Sequence, residues 1–143
     1  MYQQRSHTPA PANGASILVP IVVSSSKTSG QVFAAQNPES ETVIATICYL
    51  HVKTRSTAAC TLDIGVAANA TTSANTIMTG VSTAANNSIY DNITDKGASG
   101  LTRQLVTAGQ YFTGSVASGN ANGLVADMYI NFQKLTGGSP TVP

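Results

Sequence analysis

A chain of 143 residues is the size of one domain, long enough to bury a single core without a metal or disulfide as a staple. Only 9% of the residues are charged and the formal net charge is +1, so no field exists to gather nucleic acid, anionic lipid or an acidic substrate. No stretch reaches the roughly 20 apolar residues of a membrane helix, which leaves neither nucleic acid nor membrane as an expected partner. Ala, Thr, Ser, Gly, Asn and Val dominate over the long helix formers, and the expectation is an all-β fold. So sparse a surface charge implies that neighbours cover much of the exterior, or that hydroxyls and amides solvate it.

Met1 to Ala15 holds Pro9, Pro11 and Gly14 and few apolar side chains, so it is predicted to be a flexible N-terminal arm over residues 1–15. Fully extended, it reaches roughly 50 Å at ~3.3 Å per residue, enough to cross a neighbouring subunit. A sandwich domain is then expected over 16–135, with a Gly- and Pro-rich tail over 136–143. Ile17 to Val23 reads as a strand, with Pro20 marking it as an edge strand or placing its missing N–H at a bulge, and not as a secretion signal. Gln31 to Ala35 reads as a second strand, followed by a polar loop with an Asn-Pro step. Val43 to Val52 is apolar on both faces, as in a strand covered on each side, one cover being a candidate second subunit. Cys60 to Val66 alternates, and Lys53 to Thr57 between the two runs suggests a central β-hairpin. Weaker strands are expected at Asn75 to Thr79, Ser88 to Tyr90, Leu101 to Val106 and Gln110 to Ala117. The longest alternation closes the fold at Leu124 to Leu135. About eight or nine short antiparallel strands result, the pattern of a jelly-roll-like β-sandwich, though immunoglobulin-like strand order fits the same lengths.

Little in the chain suggests chemistry. Cys48 and Cys60 are the only cysteines, and they fall opposite one another only if the hairpin loop is tight. Their apolar settings suit small buried hydrophobes, and no zinc-type spacing is present. His51 could meet Asp63 across the hairpin, but no nucleophile elbow accompanies them, so no catalytic residue, metal or cofactor is expected. Asp91, Asn92 and Asp95 place Ile93 where a calcium loop needs an oxygen, so the segment reads as Asx turns. Asn69, Asn86 and Asn92 begin matches to the glycosylation pattern that a Thr-, Ser- and Asn-rich chain produces by chance. The cations Arg5, Lys53, Arg55 and Arg103 are the candidate partner contacts, at the rim of an interface or as solvated strand ends. Tyr111, Tyr129, Asn131 and Gln133 are the residues from which a shallow glycan site could be built.

Several stretches together resemble a known class. These are Leu62-Asp63-Ile64-Gly65-Val66-Ala67 with Ala70-Thr71-Thr72-Ser73, then Tyr90-Asp91-Asn92-Ile93 with Gly97 and Gly100 ahead of Arg103. Gly109-Gln110-Tyr111-Phe112-Thr113-Gly114-Ser115 and Gly123-Leu124-Val125-Ala126-Asp127-Met128-Tyr129-Ile130 complete them. From Val43 to Phe132 the chain resembles the small virion structural proteins of tailed bacteriophages, the capsid decoration or head cement proteins. That resemblance implies a compact β-sandwich, commonly a homotrimer, assembled in the host cytoplasm. It would bind the major capsid protein on the outside of the shell and stabilise the shell against internal DNA pressure. The alternative from another class is a receptor- or glycan-binding β-sandwich of a phage tail or fibre. An enzyme is not expected.

Overall fold

The computed structural model describes residues 14–135. Nine strands and no helix make up the described chain. They are β1 (Gly14–Val22), β2 (Gln31–Gln36), β3 (Val43–Thr54), β4 (Cys60–Ala67), β5 (Met78–Ser82), β6 (Ser88–Asp91), β7 (Gln104–Val106), β8 (Tyr111–Gly119) and β9 (Val125–Lys134). A five-stranded sheet runs β1-β9-β3-β6, with β7 also pairing β3, and a four-stranded sheet runs β2-β8-β4-β5. Every pairing is antiparallel. This is the interleaved order of a jelly roll, in which the chain passes from sheet to sheet except at the β4–β5 hairpin, and β7 is an extra short strand.

The two strands read as a central hairpin do not pair. β3 lies in the five-stranded sheet and β4 in the four-stranded one, and among sequential strands only β4 and β5 are hydrogen-bonded neighbours. The polar segment after Thr54 carries the chain from one sheet to the other. Ser56 anchors that corner, with its hydroxyl donating to the Ala58 carbonyl at 2.7 Å and pairing with the Thr83 hydroxyl at 2.7 Å. Alternation reports that one face of a strand is buried, but it is silent on which strand lies alongside.

Between the sheets lies one core. β3 contributes Val43, Ala45, Cys48, Leu50 and Val52, β9 contributes Ala126, Met128, Ile130 and Phe132, and β4 contributes Cys60, Leu62 and Ile64. The alternation expected in the last strand is realised with Ala126, Met128, Ile130 and Phe132 inward. Phe33 on β2 lies over Gly114 on β8, where any Cβ would enter the ring. Cys48 and Cys60 are free and buried in opposite sheets. Burial pushes the Cys48 thiol up to about 12, and it raises that of Cys60 as well.

β1 is an edge strand of the described sheet, in keeping with Pro20, and it reaches ahead of Ile17, pairing Gly14 with Gln133 and Ala15 with Phe132. The rest of the expected arm, and the expected tail, lie outside the described residues. Strand starts shift elsewhere too: Ile77 ends buried just before β5, and Leu101 to Arg103 lie ahead of β7.

Candidate interaction surface

Each strand of the five-stranded sheet sends alternate residues away from the core, and the cross-strand register sorts these into rows. Leu18, Tyr129, Tyr49 and Asp91 form one row; Pro20, Asp127, His51 and Ile89 form the next. Val22 and Val125 lie on one side of these rows, and Gln133, Ile44 and Leu105 on the other. The two-faced character of Val43 to Val52 is therefore real, but the chain itself covers one face only. On the other side, Ile44, Tyr49 and His51 are half-buried by their neighbours and Ile47 is exposed.

Nine large apolar side chains are exposed among the described residues, and six of them, Leu18, Val22, Ile47, Ile89, Leu105 and Tyr129, belong to this one surface. Leu18 is 53% exposed, Val22 69%, Ile89 64% and Leu105 55%, values that leave most of each side chain in water. Scattered apolar residues are ordinary on a protein surface; here six stand on one strand-built face, interspersed with His51, Lys53, Asp91 and Asp127.

The opposite exterior is different. Thr61, Asp63, Gly65, Thr113 and Ser115 occupy the outer side of the four-stranded sheet. The segment 68–76 lies across part of it, close enough that a Cβ on Gly65 would meet Ala74 and the Thr76 backbone. Thr113 and Ser115 are buried on this side. One side of the sandwich is polar and partly roofed by its own chain, and the other is apolar and open.

Within the apolar face, Lys53 Nζ contacts Asp127 Oδ2 at 2.8 Å. The hydrogen bond to that carboxylate raises the Lys53 ammonium above the ordinary lysine value. Arg55 is exposed just past the same end of β3, where its backbone N–H donates to Asn86 Oδ1 at 2.8 Å. Arg103 is exposed next to Gln104, which pairs with Ala45 near the other end of β3. At ~3.3 Å per residue the ten residues from Ala45 to Arg55 span about 33 Å, so these cations flank the surface without forming a cluster. Arg5 lies outside the described residues.

The pairing of His51 with Asp63 is not formed. His51 is on the outer side of β3 and Asp63 on the outer side of β4, in different sheets, and Asp63 Oδ1 accepts from the Gly80 N–H at 2.8 Å. No group of three or more His, Cys, Asp or Glu among the described residues could hold a metal. Asp91 behaves as an Asx residue: its Oδ1 accepts from the N–H groups of Ile93 at 2.8 Å and Thr94 at 2.7 Å, which lowers its carboxyl below the usual range. Asn69 likewise accepts from Thr71 and Thr72, while Asn92 is buried and out of reach of a glycan. Tyr129, Asn131 and Gln133 share the outer face of β9, and Tyr111 belongs to the other sheet. Beside Asn131 and Gln133 is an open depression of about 500 Å³, lined also by Gly14 to Ser16, Thr46 and Phe132.

Sequence reasoning placed the strands but named cations where the structure presents an apolar face. The two-faced run from Val43 to Val52 was the available signal, and carrying it across the register to Leu18 and Ile89 requires knowing which strands are neighbours.

No protein-family model matches the chain, and no curated protein matches it. In fold it is similar to a chain in the solved capsid of Ralstonia phage GP4, with a TM-score of 0.52 over 86% of this chain and 84% of that one. The two share 12% sequence identity, so the likeness is one of architecture.

Proposed function

We propose that this protein is a structural component of a phage virion, a decoration or cement protein that binds the outer surface of the capsid and stabilises the shell. The observation that carries this reading is the open apolar face of the five-stranded sheet, with Leu18, Val22, Ile89 and Leu105 in water and a polar, partly roofed exterior on the other side. Such one-sidedness suits a protein that rests on a larger surface. The likeness to a chain of a phage capsid supports the same reading. Its partners are then the major capsid protein and further copies of itself, the trimer being the state that the sequence resemblance implies, and its location is the exterior of the virion after assembly in the host cytoplasm. Repetition over a shell converts modest single contacts into firm attachment. Arg55 and Arg103, at opposite ends of the face, are placed to act at the rim of the contact, where charge governs encounter more than affinity.

The test is cosedimentation of purified protein with emptied capsids, followed by heating. Bound protein and a raised shell melting temperature are expected; a protein that stays in the supernatant overturns the reading. A second reading, glycan binding, is favoured by Asn131 and Gln133 lining the open depression, with Tyr129 on the same face of β9. Binding on a glycan array that is lost in Tyr129→Ala would install that reading instead.

A further inference from the structure

We infer that Asn122-Gly123 is a deamidation site held shut by the folded corner around it, so that conversion of Asn122 to aspartate or isoaspartate requires that corner to open and marks each copy in which it has opened. The inference is independent of the reading above and rests on the peptide unit that joins these two residues.

An Asn-Gly step is where a chain most readily modifies itself, because glycine has no side chain to hinder the approach of its backbone nitrogen to the preceding carboxamide. The Gly123 nitrogen attacks Cγ of Asn122, the Cγ–Nδ2 bond breaks, and Nδ2 leaves as ammonia with the proton that the Gly123 nitrogen gives up. Water then opens the cyclic imide. Opening at Cγ leaves aspartate, whereas opening at the main-chain carbonyl routes the backbone through the side chain and lengthens it by a methylene as isoaspartate.

The pair lies in the connection from β8 to β9. The Leu124 N–H donates to the Ala121 carbonyl at 3.0 Å and Gly123 has a φ of +85°, so Ala121 to Leu124 make a type II turn with glycine at its third position. The peptide between Asn122 and Gly123 is gripped at both ends. Its carbonyl accepts from the Thr57 N–H at 2.8 Å and the Thr57 hydroxyl at 3.1 Å, and its N–H donates to the Val23 carbonyl at 2.8 Å. Thr57 belongs to the connection from β3 to β4 and Val23 to that from β1 to β2, so the turn is fixed by two other loops. Asn120 ties the same corner together, its Oδ1 accepting from the N–H groups of Lys27 at 2.9 Å and Asn122 at 3.0 Å. To bring the Gly123 nitrogen onto the Asn122 carboxamide, this peptide plane must turn about the bond from Asn122 Cα to its carbonyl carbon. That rotation breaks the bonds to Thr57 and to Val23 together. The added methylene of isoaspartate then shifts the carbonyl and the N–H relative to those partners, and the modified copy does not regain the corner.

The experiment incubates the full chain in mildly alkaline buffer, folded and in urea, and follows the Asn122 peptide by mass spectrometry with the isoaspartyl form resolved by chromatography. In urea, Asn122 and Asn13, each followed by glycine, should deamidate at similar rates. In the folded protein Asn122 should react about tenfold or more slowly than in urea, since the reaction waits for local opening. Thr57→Ala, which removes the hydroxyl grip, should raise the folded rate and the hydrogen exchange of the Gly123 amide together and leave the rate in urea unchanged. Wild-type protein at graded urea below its unfolding transition makes the same comparison without a substitution. The isolated isoaspartyl form should lose protection at the Gly123 and Val23 amides. Equal rates folded and in urea, a folded rate that does not follow Gly123 exchange, or an Asn122 that stays intact even in urea overturns the proposal.

Discussion

Asn92 stands in for a missing strand beside Cys48. Its Oδ1 accepts from the Cys48 N–H at 2.9 Å, and its own backbone N–H donates to the Cys48 carbonyl at 3.3 Å. The gap it fills lies between β6, which pairs with Tyr49 to Val52, and β7, which pairs with Val43 to Ala45. The amide nitrogen of Asn92 completes the bridge by donating to the Thr46 carbonyl at 2.8 Å and the Leu101 carbonyl at 3.1 Å. Backbone groups at a bulge are thereby satisfied without a continuous ladder.

Asn92→Ala should therefore cost about 2–4 kcal/mol, because it leaves a buried N–H and two carbonyls short of partners. Asn92→Asp should do comparable harm at neutral pH, since a carboxylate meets the carbonyls that the amide nitrogen served, and should recover in part as acid protonates it. Chemical denaturation of the three proteins at two pH values measures both effects.

Gly114 and Phe33 make a second local test. A methyl at position 114 enters the Phe33 ring, so Gly114→Ala is expected to lose about 1–3 kcal/mol. Gly114→Ala with Phe33→Leu should lose less than the sum of the two single changes. A double-mutant cycle showing strict additivity would place the strain elsewhere.

The apolar face can be altered without touching the core. Leu18→Lys with Ile89→Lys should leave the melting temperature nearly unchanged, since exposed substitutions away from special features shift stability by roughly 0.5 kcal/mol or less. The same pair should weaken attachment to capsids at least tenfold. Thr61→Lys with Ser82→Lys on the opposite sheet should not.

For the ion pair on that face, the sign of the pH dependence follows from the raised Lys53 value. A group whose folded value lies above its unfolded one stabilises fully below the unfolded value and loses that contribution as pH climbs through the folded one. Stability should thus decline above about pH 10, the ordinary lysine range, and Lys53→Met should flatten that decline. The exposed ammonium makes the effect small and sensitive to salt.

Both cysteines should resist thiol reagents in the folded protein. Cys48 is held near pKa 12 by burial, so almost no thiolate exists at neutral pH. Labelling kinetics should follow the unfolding rate, and reaction of Cys48 faster than global unfolding would reveal local opening of β3.

The sequence by itself determined that the chain is all-β, that Pro20 belongs to an edge or a bulge, that β9 alternates, and that the run from Val43 to Val52 is apolar on both sides. Each of these depends on composition and on a period of two along one strand. Only the tertiary structure decided that β3 and β4 part into different sheets, that His51 and Asp63 never meet, and that Leu18, Tyr129, Tyr49 and Ile89 share one surface. Those facts depend on which strands lie side by side. A jelly roll pairs residues far apart in the chain, such as Leu18 with Tyr129, and local periodicity constrains a strand's faces but not its neighbours. The cations drew notice because charge is rare in this chain, whereas an exposed face made of ordinary Leu, Ile and Val becomes visible only once the residues buried by the fold are set aside.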